Sequence, residues 1–184
     1  MSREIEEFRG RKYTGRESRI FKEWEMIDQR FQDDKQCEYI IRKRNGAGLP
    51  IVFDIIFNVK TIIGVEPADE QGLQKPIFGD KHVMRITLPN NYPSVDGVPA
   101  FKFTTDVWHP NIQYHGDFKG EVCTNPSDHG TYFPLVEYIE TIINYLTYED
   151  YHAKNEYPYP QDLNVAEWVL TQAEPQGWIP FEQD

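Results

Sequence analysis

The sequence predicts an α+β fold in which helices pack on one face of a four-stranded antiparallel meander. Three observations carry this. Ile20, Trp24, Ile27 and Phe31 step by four, three and four, the stripe of an amphipathic helix. Four strand-like runs follow with no helical segment between them, and short connections favour antiparallel neighbours. A second stripe, Leu135, Ile139, Ile142 and Leu146, comes after a long loop, and a further short helix follows it.

Taken in order, residues 1–13 are polar and mixed in charge and read as a mobile lead-in. Thr14 and Glu17, in TGRE, have capping-box spacing and open the first helix of the fold, which ends at 32–36. CEYIIRKRN is the first strand, followed by the turn-rich NGAGLP. IVFDIIFNVKTIIGVEP reads as one strand, with Ile55, Phe57 and Val59 alternating against Ile56, Asn58 and Lys60. ADEQGLQKPIFGD reads as a loop. HVMRITLP places Met84, Ile86 and Leu88 on one side, and AFKFTTD does the same for Phe101 and Phe103. Residues 107–133 show no sustained period and read as a long functional loop. Pro134 suits the first position of the next helix. Asn164 is a candidate cap for NVAEWVLTQ, and residues 173–184 form a tail.

The chain has 184 residues, which suggests one domain. At that size roughly 70% of the unfolded surface is buried, without need of a disulfide or metal staple. With 39% hydrophobic and 14% aromatic residues, global disorder is excluded. No apolar run reaches the length of a membrane span, and MSREIEEFRGRKY lacks the apolar stretch of a secretory signal, so the cytoplasm is the expected location.

Charge is uneven. The net charge is −11, yet Arg9 to Lys22 holds six basic residues and one acid. From Asp106 to the end there are fourteen acids against Lys119 and Lys154. Nucleic-acid binding by that part is opposed. The pattern reads either as a basic handle ahead of an acidic surface or as plain solubility. Two cysteines make no disulfide framework. Cys37 sits in a strand pattern and reads as a small apolar residue. Cys123 sits among loop residues, where burial explains it less well.

That loop contains WHPNIQYHGDFKGEVCTNP. With ITLPNNYP (Tyr92, Pro93), VP (Pro99) and FKFTTD before it, the chain shows Tyr-Pro, then His109-Pro110-Asn111, then Gly120 and Cys123 in GEVC. In this order and within this element pattern, the set resembles the ubiquitin-conjugating enzymes over roughly residues 16–172. PYPQDLN resembles the Pro-rich turn into that family's next helix. The resemblance implies the UBC fold for residues 14–172. It also implies an acyltransferase that carries ubiquitin or a ubiquitin-like protein as a thioester on Cys123 and passes it to an amine.

The residue types fit that chemistry. A thiol is partly thiolate at neutral pH and strongly nucleophilic. A side-chain amide such as that of Asn111 can stabilise the oxyanion of the transfer step, a role worth roughly 3 to 4 kcal/mol in oxyanion holes. Asn111 can equally hold the loop by bonds to the backbone. His109, Pro110, Tyr92 and Pro93 are implied to be structural. Asp150, Glu156 and Asp162 are open candidates to help the incoming lysine lose its proton. Arg16, Arg19 and Lys22 fit the family's use of this helix to meet the activating enzyme. No cofactor is implied, because the activating enzyme uses the ATP. A ligase and a target protein complete the partners.

Departures from the family's pattern imply that the resemblance is to a divergent member. The loop from Asn111 to Cys123 is longer than the family's, with His115, Asp117 and Phe118 in the added space. Thr124 follows Cys123 where leucine is common, and Tyr132-Phe133-Pro134 stands where the family shows Trp-x-Pro. Ser94 and Val95 replace an aromatic that helps bind ligases. Conjugation systems in bacterial gene clusters, with their own modifier, are one setting for such a member. Three other readings compete. One is a catalytically inactive UBC or RWD-type binding module, although such modules generally lack the cysteine. Another is a hydrolase pairing Cys123 with His109, His115 or His129. The last is a metal site among those four residues, whose spacings match no zinc pattern.

Overall fold

Alternation within each strand decides which face of the sheet is apolar, and the described chain follows it. The computed structural model describes residues 2–122 and 133–183. Its strands are β1 (Cys37–Arg44), β2 (Pro50–Phe57), β3 (Thr61–Val65), β4 (Pro76–Gly79), β5 (His82–Thr87) and β6 (Ala100–Phe103). The first, second, fifth and sixth form an antiparallel sheet in the order β1-β2-β5-β6, the expected meander. The run from Ile51 to Pro67 is two strands and not one. Asn58 ends β2, because its N–H donates to Gln36 O at 2.8 Å and its side chain to Lys35 O at 3.1 Å. The chain then pairs β3 with β4, which lies inside the segment expected to be a loop.

Phe53, Ile55 and Phe57 of β2, Met84 and Ile86 of β5, and Phe101 and Phe103 of β6 are buried on one face. Two helices cover them: α2 (Gly15–Phe31), through Ile20, Trp24, Ile27 and Phe31, and α3 (Leu135–Leu146), through Leu135, Ile139, Ile142 and Leu146. Both predicted stripes therefore face the core. Thr14 takes the cap position of α2, but its side chain makes no cap bond. Pro134 sits at the cap of α3, one residue before the first helical position.

Described residues near both ends pack onto the rest of the fold. Within residues 1–13, α1 (Arg3–Arg9) buries Ile5 and Phe8, and Phe8 meets Trp24 edge-on at 5.2 Å. Ser2 N donates to Asp28 Oδ2 at 2.8 Å, and Arg9 pairs with Glu25 at 2.6 Å. At the other end, α4 (Leu163–Trp168) runs through a π turn (Val169–Ala173) into α5 (Glu174–Gln176). Asp162 caps α4 and not Asn164: its carboxylate accepts from Asn164 N and Val165 N. Val165, Trp168, Val169 and Ile179 join Ile62, Trp108 and Tyr148 in a second apolar cluster. Within the tail, Phe181 meets Phe78 edge-on at 5.1 Å, and Gln183 bonds to Lys60. Among the described residues no helix is long and apolar enough to cross a membrane.

Candidate active site

The segment after β6 folds around a buried imidazole. Trp108 N donates to Ile62 O at 2.8 Å, and the Tyr148 hydroxyl donates to Trp108 O. His109 is fully buried, stacked on Tyr145 at 5.0 Å with Tyr148 edge-on at 4.8 Å. Its Nδ1 accepts from Asn111 N at 3.2 Å, which turns the backbone tightly. Burial pushes the His109 pKa down to about 3, with the Asp150 backbone opposing. The ring is therefore neutral at physiological pH and serves as a structural post. Pro110 O accepts from Gln161 N at 2.8 Å and Asp162 N at 3.0 Å, so this turn is tied to the one ahead of α4.

Asn111 is buried. Its Oδ1 accepts from His152 N at 2.8 Å. That bond fixes the amide and leaves Nδ2 as the donor end.

Asp162 is the second post. Its Oδ2 accepts from Tyr114 N at 2.9 Å, His115 N at 3.0 Å, His115 Nδ1 at 2.9 Å and Gln113 Nε2 at 3.2 Å. Its Oδ1 accepts from Asn164 N and Val165 N at 3.1 and 3.2 Å. Burial raises its pKa. The bonds from His115 and from the Val165, Tyr114 and His115 backbones outweigh that and hold it below the usual carboxylate range. A carboxylate with this many donors is an anchor and not a base for a substrate amine. Asp150 and Glu156 are exposed on the connector that carries His152.

The chain from Ile112 to Val122 returns on itself. Gln113 N donates to Glu121 O at 2.8 Å, Gly120 N donates to Gln113 O at 2.6 Å, and Ile112 bridges Val122. The return strand lies on β6 through Phe103 N to Gly120 O at 2.8 Å and Val122 N to Phe101 O at 3.2 Å. Glycine is required at 120: φ is +88°, and a Cβ there would stand 2.2 Å from Phe103 O. The added residues His115, Asp117 and Phe118 are exposed and lie at the far, turning end. Cys123, Thr124, His129 and Tyr132 lie outside the described residues.

The Tyr-Pro and basic-helix residues gather elsewhere, around Glu23. This buried carboxylate accepts from the Tyr92 hydroxyl at 2.9 Å and from Leu135 N at 2.8 Å, and pairs with Arg19 at 2.5 Å. Burial, then Glu23, push the Tyr92 hydroxyl pKa up. Arg16 donates to Pro89 O at 3.2 Å, while Lys22 and Pro93 are exposed. Arg16 and Arg19 thus have internal contacts as well as charge. Sequence reasoning missed Glu23 and His152. The only local signal for Glu23 was its spacing of four from Arg19 on a helix. Among the described residues no cluster of His, Cys, Asp or Glu is arranged to hold a metal.

Neither a family model nor a curated protein matches the sequence. Solved structures do match the fold. The E2 domain of a ubiquitin-conjugating enzyme from Toxoplasma gondii is 21% identical, with 86% of this chain and 88% of that one covered and a TM-score of 0.55. A Plasmodium yoelii protein described as a ubiquitin-conjugating enzyme is 20% identical, with 90% of each chain covered and a TM-score of 0.57. The α+β architecture, with its leading helix and four-stranded sheet, is that of the UBC fold.

Proposed function

We propose that the chain is a divergent ubiquitin-conjugating enzyme that carries ubiquitin or a ubiquitin-like modifier as a thioester on Cys123. The observation that carries this reading is the bridge between Ile112 and Val122. It brings the residue before Cys123 beside the residue after Asn111, whose amide is already fixed by His152 N. The proposed nucleophile is the next residue in the chain after Val122.

In the first step the Cys123 thiolate attacks the modifier's carbonyl carbon on the activating enzyme. A new C–S bond forms and the old one breaks, releasing the activating enzyme's thiolate. In the second step an amine of the target attacks the same carbonyl. The oxyanion that develops is met by an Asn111 N–H, the C–S bond breaks, and the Cys123 thiolate leaves. The amine's surplus proton passes to water or to Asp150 or Glu156. Lys22, with Arg16 and Arg19 behind it, faces the activating enzyme. A ligase joins the target where one is used.

The test is a charging reaction with the cognate activating enzyme, modifier and ATP, read on a non-reducing gel. A thiol-sensitive adduct that disappears in Cys123→Ala is expected. No adduct, with the partners active on another carrier, would leave the fold as a binding module.

A further inference from the structure

The connector between α3 and α4 has two sides. On one, His152 N holds the Asn111 amide. On the other it walls a cavity of about 330 Å³, lined by Tyr151, His152, Lys154, Glu156, Leu170 and Glu174 among others. That volume is at the low end for ligand sites, which run from ~300 to 1,000 Å³. The cavity is braced on both sides. His152 Nε2 donates to Glu156 O at 2.9 Å, and the Tyr151 hydroxyl donates to Glu174 Oε1 at 2.9 Å.

The lining combines apolar surface, from Tyr151 and Leu170, with the carboxylates of Glu156 and Glu174 against the single ammonium of Lys154. The surroundings are one-sided in charge. Over 149–174 the exposed Glu149, Asp150, Glu156, Glu167 and Glu174 stand against Lys154 alone. Tyr157 and Tyr159 of the same connector and Leu163 at the start of α4 are 65%, 61% and 59% exposed. Aromatic faces and carboxylates together recognise cations, and the apolar wall suits the aliphatic stem of a lysine or arginine. The same carboxylates oppose an acidic peptide, a nucleic acid or an anionic membrane.

We propose that this cavity docks a basic segment of the target protein, so that a nearby lysine is presented beside Asn111. The inference rests on the transferase reading above and adds the class of target to it. Targets are selected by a cationic residue held against Glu174, at a site separate from the amine that reacts.

The test uses the full, uncharged chain and two short fluorescent peptides, one of alternating lysine and leucine and one with glutamate in place of lysine. Anisotropy should show saturable binding of the lysine peptide, weakened by salt, and none of the glutamate peptide. Glu174→Lys should weaken binding by about tenfold, and Leu170→Ala by about threefold. Glu6→Lys on α1 makes the same charge change far along the chain and should leave affinity within about twofold. No saturable binding, or equal loss in Glu6→Lys and Glu174→Lys, overturns the proposal. The charging gel is run alongside. An adduct without peptide binding overturns the docking site and leaves the transferase standing. Cavity-dependent binding without an adduct overturns the transferase reading and the delivery role, and supports the cation specificity alone.

Discussion

The backbone N–H of Leu135, the first residue of α3, donates to Oε2 of Glu23 at 2.8 Å. Glu23 lies within α2, so one buried carboxylate joins the two helices that cover the sheet. Pro134 precedes Leu135 and has no side-chain acceptor, and Glu23 supplies what a capping residue would. A negative charge there also meets the positive end of the α3 dipole. Its other oxygen takes Tyr92 and Arg19, which connects the Tyr-Pro turn to the same point.

Removing that carboxylate should be costly. Glu23→Ala takes the acceptor from Leu135 N, Tyr92 and Arg19 together, and loss of one partner of a buried pair costs about 3–5 kcal/mol. Tyr92→Phe deletes one bond and should cost about 1–2 kcal/mol. Urea unfolding reads both, as a lower midpoint at constant slope. A Glu23→Ala protein as stable as Tyr92→Phe would mean that the carboxylate contributes no more than its tyrosine bond.

How far the sequence revealed this architecture follows from what each signal depends on. Met84, Ile86, Phe101 and Phe103 alternate because one side of the sheet is buried, so the meander was visible from period alone. The break between β2 and β3 was not, because apolar residues run on through it and Asn58 ends the strand by bonds to Lys35 and Gln36. α1 was hidden because Ile5 and Phe8 are two apolar residues among charges. His109 and Asn111 were legible as a compact motif. Glu23 and the anchoring role of Asp162 were not. Leu135 lies 112 residues from Glu23, and a buried carboxylate is explained only by donors brought from such distances.

Two glycines of the 112–122 return separate conformational cost from close approach. Gly116 and Gly120 both have positive φ, +78° and +88°. A Cβ at 116 meets nothing within 4 Å, while one at 120 stands 2.2 Å from Phe103 O. Gly116→Ala should therefore cost only the backbone term of about 1 kcal/mol. Gly120→Ala should cost clearly more, about 2–3 kcal/mol, and displace the return strand from β6. Hydrogen exchange at Phe103 N and Gly120 N should speed up, with the β2–β5 amides unchanged. Equal effects at the two glycines would show that the contact with Phe103 O is not what demands glycine.

Acid should destabilise the fold in two stages. Burial holds His109 neutral down to about pH 3, whereas an unfolded histidine takes a proton near about 6.5. Between those values the unfolded chain binds more protons, so stability falls as pH falls, by up to about 1.4 kcal/mol per unit. His82, lowered by burial, adds to this in the same direction. The carboxylates of Asp162 and Asp54, both held low, act later. Their stabilisation is present above about pH 4 and is lost as pH falls below it toward their folded values. Unfolding of wild type and His109→Gln at about pH 7 and 5 isolates His109, since the other groups are common to both. The wild type should lose about 2 kcal/mol more than the variant over that interval. Equal losses would mean that the buried ring titrates normally.

Asn111 has two jobs that one substitution can separate. Its Oδ1 accepts from His152 N, and its Nδ2 is the donor proposed to meet the oxyanion. Asn111→Asp keeps the acceptor and removes the donor, while Asn111→Ala removes both. If the donor acts in transfer, Asn111→Asp should load Cys123 at close to the wild-type rate but release the modifier to an amine about 100- to 1,000-fold more slowly. Single-turnover discharge of the purified thioester to free lysine measures this without the loading step. Normal discharge by Asn111→Asp with slow discharge by Asn111→Ala would assign Asn111 to holding the connector through His152. Equal loss of loading and discharge in Asn111→Ala would make it a structural residue of the loop. Slow discharge in both variants with loading intact leaves the amide N–H as the group that the developing negative charge requires.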